Sequence, residues 1–228
     1  MSAVLLSGGL DSAVLLLEEA AAGEVQPIYV RVGLAWEGAE RQAIEQFIEA
    51  TELGGRVRPL AVLAVDMTDV YPRSHWAIQG RPPGYHTPDE DVYLPGRNVI
   101  LLGKAAVFCA ASGIGRLLIG TLDHNPFPDA TPAFRAAMQT ALALGLDHDL
   151  SIEAPYARAS KAEVIRRGIG LGAPLALTLS CMQPAGGNTI HCGLCSKCRE
   201  RHLAFVEAGV QDPTIYAEMR YVQPAGDV

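Results

Sequence analysis

The sequence predicts an α/β protein: a doubly wound parallel sheet of five strands, with a small cysteine-bearing segment at its carboxyl end. Three observations carry that expectation. Short β-branched runs alternate with longer helical ones from Ala3 to Gly170, the pattern of right-handed crossovers that place helices on both faces of a parallel sheet. A glycine-bearing run, SGGLDS at Ser7–Ser12, directly follows the first apolar segment. Four cysteines fall within the 18 residues from Cys181 to Cys198.

Ala3–Leu6 is apolar throughout and reads as the first strand, and the apolar-periodic stretch Ser12–Ala22 reads as the first helix. Val25–Val32, Val57–Val65, Arg116–Gly120 and Ser151–Glu153 are short apolar runs that supply the other strands. Trp36–Leu53, Asn98–Ser112, Pro132–Leu144 and Lys161–Gly170 supply the other helices. Asp66–Gly96 breaks the alternation; it is rich in Pro and Gly and carries His75, Trp76, Tyr85, His86, Asp89, Glu90 and Asp91. Long irregular segments of compact domains are lids, binding loops or disordered excursions. A substrate-covering lid, a dimer contact and a mobile surface excursion all stay open for this one. The expected organisation is one large domain, 1–175, with the segment 176–228 packed on it.

Composition narrows the class. The 228 residues are 49% hydrophobic and 19% charged, which suits a compact soluble protein. No uninterrupted apolar stretch reaches membrane-spanning length. The amino terminus shows neither a basic leader nor a cleavage signature, so a cytoplasmic location is expected. A net charge of −7 argues against broad electrostatic binding to nucleic acid. Arg166, Arg167, Lys197, Arg199 and Arg201 are read as solvated helix faces.

In Ser7–Ser12, Gly8 and Gly9 permit backbone conformations closed to other residues and let a ligand approach the main chain. Asp11 or Ser12 is expected to cap the new helix, whose free amide groups and positive dipole end then face the turn. Such a terminus is a ready anion site, phosphate being the usual occupant; a plain glycine-rich connection is the bland alternative. No G-x-x-x-x-G-K-[ST] occurs and no G-x-G-x-x-G follows the first strand, which argues against a Walker A loop and a dinucleotide fold. The run resembles the pyrophosphate-binding loop of the N-type ATP pyrophosphatases, which cleave ATP between its α and β phosphates. The resemblance implies an adenine nucleotide alpha hydrolase-like sheet and ATP with magnesium as ligands. Its nucleotide-binding set would be Leu6, Ser7, Gly8, Gly9, Leu10, Asp11, Ser12, Ala13, Val14, Leu15 and Leu16.

Cys109 lies alone in an apolar helical stretch and reads as a small buried hydrophobe. Cys181, Cys192, Cys195 and Cys198 have the spacing C-x10-C-x2-C-x2-C, which in a reducing compartment points to metal rather than disulfides. Tetrahedral zinc needs four converging thiolates, and a site with no spare ligand is structural. An iron–sulfur cluster, or three cysteines completed by His191 or His202, are the alternatives. Lys197, Arg199 and Arg201 are expected to offset the negative charge of a four-thiolate centre.

Loop and cysteines together resemble the 7-cyano-7-deazaguanine synthase family. LPGRN at Leu94–Asn98, GTLDHNPFPDAT at Gly120–Thr131, SKAE at Ser160–Glu163 and TLSC at Thr178–Cys181 extend the resemblance in consistent order along nearly the whole chain. It implies an ATP-dependent carbon–nitrogen ligase that joins ammonia to 7-carboxy-7-deazaguanine, adenylates the acid and the intermediate amide, and ends at the nitrile. It also implies a homodimer. Asp11, Arg97 and Lys161 are the candidate catalytic residues, the two cations as clamps on the phosphates or the substrate acid; a surface salt bridge is the bland reading of Arg97. Asn98 is expected to cap its helix. Asp123 and Asp129 bind magnesium or substrate, or serve as turn residues.

The family's Asp-Tyr-Gly-Gln-x-His becomes Arg31, Val32, Gly33, Leu34, Ala35 and Trp36, and its Pro-Asp-Cys-Arg becomes Pro128, Asp129, Ala130 and Thr131. Both departures bear on the acid substrate rather than on ATP or the metal. A pyrophosphate-loop enzyme of another kind, such as a tRNA-thiolating transferase, is the second functional class. A non-enzymatic zinc-ribbon module is the third, and it leaves SGGLDS and LPGRN unexplained.

Overall fold

A computed structural model describes residues 1–51, 53, 55–123, 125–186 and 189–222. Strands β1 (Ser2–Leu5), β2 (Val25–Arg31), β3 (Ala61–Ala64), β4 (Arg116–Leu118) and β5 (Ser151–Glu153) form one sheet in the order β3-β2-β1-β4-β5, and every pairing is parallel. The helices are α1 (Leu10–Ala22), α2 (Glu37–Ala50), α3 (Trp76–Gln79), α4 (Arg97–Ala111), α5 (Pro132–Leu146), α6 (Lys161–Gly170) and α7 (Ser196–Ala208).

Strand side chains alternate between two faces, and here both faces are covered. Ala3 and Leu5 join Ile28, Leu117, Leu102 and Ala105 in one buried cluster. Val4 and Leu6 join Leu118, Val14, Ile44, Ile165 and Phe205 in the other. That is why β1 reads as an unbroken apolar run rather than an alternating one. Strand order reverses between β1 and its neighbours β2 and β4, so the turn after β1 opens onto the switch point where such sheets take ligands.

The expected third strand is half as long as its apolar run. Val57 makes only an isolated bridge to Val25, and Pro59, lacking an amide proton, separates it from the ladder that begins at Ala61. Helix α7 was hidden among the cysteines. Its N-cap is Cys195, and its buried residues Ala204, Phe205 and Ala208 pack into the core shared with α6. Arg201, read from sequence as solvated, is 0% exposed. Its guanidinium donates to the Leu175 carbonyl at 2.9 Å, Thr178 Oγ1 at 2.9 Å and Thr214 Oγ1 at 2.5 Å, which replaces the hydration a buried cation loses.

The irregular segment after β3 also contributes to the core, through Tyr71, Ala77, Val92 and Leu94. Arg199 fastens it from α7, donating to the carbonyls of Tyr85 and Thr87, both at 2.7 Å, and to Asp89 at 2.6 Å. Phe205, 1% exposed, carries the apolar part of the α7 attachment. Phe205→Ala should cost about 3–5 kcal/mol in denaturant unfolding; a loss below 1 kcal/mol would mean that α7 is held by its polar contacts alone.

Candidate active site and metal centre

Helix α1 starts directly after Gly9, and neither Asp11 nor Ser12 caps it. Both lie inside the first turn, where Ser12 Oγ donates to the Gly9 carbonyl at 3.2 Å and accepts from the Ser7 amide at 3.1 Å. The first-turn amides of Leu10, Asp11 and Ser12 therefore have no intrahelical acceptor. Gly8 adopts φ +78°, and a Cβ there would stand 3.0 Å from the Glu40 carbonyl oxygen, so both conformation and space demand glycine. Gly9 lies in the extended region at φ −74° and needs neither.

These amides open onto a cavity of about 520 Å³ lined by Ser7, Gly9, Asp11, Ser12, Arg97 and Lys161, among others. A shallower, more open recess of about 630 Å³ lies on the α5–β5 side, around Arg116, Arg135 and Glu153. Its arginines are engaged: Arg116 binds Glu19 and Glu153, and Arg135 the Ala130 carbonyl. The candidate site is the cavity at the β1–α1 turn, where three buried polar atoms have no hydrogen-bond partner among the described residues: Asp11 Oδ1, Arg97 Nε and Thr121 Oγ1. Unpaired buried groups cost about 1–3 kcal/mol each, so this cavity carries polar capacity that the described residues leave unused.

Asp11, Arg97 and Lys161 are thus brought to one cavity. Lys161 Nζ lies 3.2 Å from Asp11 Oδ2 and also pairs with Glu200. Burial alone would lower the pKa of Lys161, but Asp11 and Glu200 more than reverse it. Burial raises that of Asp11, with Lys161 opposing. Asn98 sits one residue inside α4, whose N-cap is Gly96, so it does not cap the helix. Its amide and side chain instead donate to Asp129, at 3.0 Å from the amide to Oδ2. Asp129 is thereby committed to closing the start of α4. Asp123 lines the cavity, and its amide donates to the Ala159 carbonyl at 3.2 Å.

Sequence reasoning missed two carboxylates of this cavity. Glu40 accepts from Tyr29 Oη at 2.7 Å and Trp36 Nε1 at 3.0 Å; burial raises its pKa while Arg97 lowers it. The available signal was a glutamate at i+4 from Trp36, on the same helix stripe as Ala43, Ile44 and Phe47. Glu200 on α7 gave no comparable signal. Trp36, where the family pattern has histidine, stacks on Trp76 at 5.9 Å between ring centroids.

The four clustered cysteines are buried, and their sulfurs lie within 4.8 Å of one another. Four thiolates at about 2.3 Å from one ion put neighbouring sulfurs about 3.8 Å apart; Cys192–Cys198 is 3.8 Å and Cys195–Cys198 3.5 Å. A cluster that binds each thiolate through a different iron would spread them further. Amides of Gln183 and Cys192 donate to Cys181 Sγ, and that of Leu194 to Cys192 Sγ. Those amides stabilise the thiolates, while the side chains of Lys197, Arg199 and Arg201 make their hydrogen bonds to oxygen atoms. Gly193, at φ +76°, permits the turn, since a Cβ would collide with the Glu218 carbonyl at 1.8 Å.

Neither histidine belongs to the sulfur set. His191 accepts the Ser180 amide at 3.1 Å, and burial pushes its pKa down to about 3, keeping it neutral. His202 faces Asp212 at 3.8 Å. Burial pushes the Cys109 thiol up to about 12, so it is inert in the core. No described helix is long and apolar enough to cross a membrane.

Fold and site define an α/β protein with an anion-ready turn at its switch point and a closed four-cysteine metal site beside it. The family model "Queuosine biosynthesis protein QueC" matches residues 1–209, and the chain belongs to that family. A 7-cyano-7-deazaguanine synthase of Anaeromyxobacter dehalogenans is 35% identical over 226 residues, covering 94% of this chain and 95% of that protein. Proteins of the same name from Caldicellulosiruptor bescii and Methanoregula boonei are 32% and 33% identical. The first covers 93% of this chain and 96% of its own length, the second 95% and 99%.

Cys195→Ser should lose the metal, because three thiolates and an alcohol bind zinc poorly, and with it much of the tail's stability. Metal analysis and thermal melting check this; a variant with wild-type metal content and midpoint contradicts a four-thiolate site.

Proposed function

We propose that this chain is a cytoplasmic, ATP-dependent carbon–nitrogen ligase that converts 7-carboxy-7-deazaguanine and ammonia into 7-cyano-7-deazaguanine. The observation that carries the nucleotide part is the set of unpaired groups on one cavity wall: first-turn amides of α1, Asp11 Oδ1, Arg97 Nε and Thr121 Oγ1. The near full-length relatives named 7-cyano-7-deazaguanine synthase support the substrate.

ATP would lie with its phosphates on the Leu6–Leu16 segment, held by the amides of Leu10, Asp11 and Ser12. Magnesium, when bound, would neutralise phosphate charge, and Asp11, on the cavity wall, would offer it a carboxylate. Lys161 and Arg97 stabilise the negative charge that develops as pyrophosphate departs, the largest single demand of such chemistry. The acid is activated by adenylation and attacked by ammonia to give the amide; the amide is activated again and dehydrated. One structural zinc ion on Cys181, Cys192, Cys195 and Cys198 would close the segment 176–228 on itself, so that it holds its shape beside the nucleotide-binding domain 1–175. The exposed Leu144 and Val107, at 79% and 52%, leave apolar surface on α5 and α4 for the second copy of a homodimer.

The apolar turn Val32–Trp36, closed by the Trp36–Trp76 stack, favours a second reading: the same ATP chemistry on a different acyl or tRNA substrate. Incubation with ATP, magnesium, ammonium and 7-carboxy-7-deazaguanine, followed by mass spectrometry, separates the two. Amide and nitrile are expected; ATP turnover without either would leave the second reading. Asp11→Ala should lose ATP turnover by about 10²-fold or more with folding intact, and full turnover would mean that the site is misplaced.

A further inference from the structure

Lys161 occupies an awkward position. It is the first residue of α6, behind a Ser160–Glu163 capping box, where the positive end of the helix dipole disfavours a cation. Its side chain is only 15% exposed. Two carboxylates offset these costs, Asp11 from α1 and Glu200 from α7, and Glu200 in turn binds Lys197 at 2.5 Å. Two anions and two cations make a neutral quartet, and all four residues line the cavity.

The quartet is asymmetric at Asp11. Oδ2 takes the lysine, while Oδ1 has no partner. Without Glu200, the ammonium would have one anion within reach and no pull away from it, so it could bridge both Asp11 oxygens. We propose that Glu200 is a positioning residue for Lys161: it holds the ammonium on a single oxygen of Asp11 and keeps it off the other, which has no hydrogen-bond partner among the described residues. The inference rests on the nucleotide reading of the site and extends it. The cysteine segment then does more than close the fold, because Glu200 lies two residues beyond Cys198 on α7 and reaches the loop through one lysine.

The test compares pyrophosphate release against ATP concentration for wild type, Glu200→Gln, Glu200→Asp, Lys161→Met and the Lys161→Met/Glu200→Gln double variant, with metal content measured for each. Glu200→Gln should lower kcat about tenfold or more while KM for ATP stays level or falls, since a negative charge near the phosphates has gone. Glu200→Asp should recover part of the loss. In the Lys161→Met background, Glu200→Gln should add nothing, because its effect runs through the lysine. Wild-type kcat in Glu200→Gln, or losses that multiply in the double variant, would overturn the inference while leaving the nucleotide reading intact. Loss of metal from both Glu200 variants would assign Glu200 to the fold of the cysteine segment and overturn it too. A wild-type protein that releases no pyrophosphate would remove the nucleotide reading and this inference with it.

Discussion

One hydrogen bond joins the two ends of this chain at the site: the Leu179 amide donates to the Gly8 carbonyl at 2.7 Å. Gly8 makes it from a positive φ, and Leu179 stands two residues before the first cysteine of the metal site. A neutral hydrogen bond of this kind stabilises by only about 1 kcal/mol. Its larger consequence is geometric. The turn whose amides face the cavity is fixed at once by the sheet behind it, by Glu40 packed against Gly8 and by the cysteine segment across it.

Charge balance depends on that closeness. Burying an ammonium and two carboxylates is costly, and a buried ion pair that loses one partner is costlier still. Here helices α1, α6 and α7 each bring part of the set, so the ions stabilise one another only when all three helices are docked. Arg97 plays a matching part in the same cavity, its charge lowering the pKa of the buried Glu40.

Much of this was legible in the sequence. All five strands and five of the helices fall where apolar runs and periodicity place them, because a sheet buried on both faces leaves a plain hydrophobic record in its strands. The four cysteines were readable because metal ligands must be of a few types at short spacing. What escaped were residues whose meaning is purely spatial. Nothing in the order of the chain tells that Glu200, among the cysteines, ends against Lys161, or that Asp129 closes the start of α4 in place of Asn98. Arg201 looked like surface because its oxygen partners, Leu175, Thr178, Ser180 and Thr214, lie in two stretches on either side of the cysteine cluster, and α7 was masked by the loop-like spacing of the cysteines that begin it.

The proposed grip of the β1–α1 turn on a polyphosphate is the point on which the chemistry turns. A crystal structure of the zinc-loaded protein with magnesium and a non-hydrolysable ATP analogue addresses it directly. The phosphate oxygens should accept hydrogen bonds from the amides of Leu10, Asp11 and Ser12, with the Lys161 ammonium beside them. An analogue seated elsewhere, with those amides facing only solvent, would contradict the account.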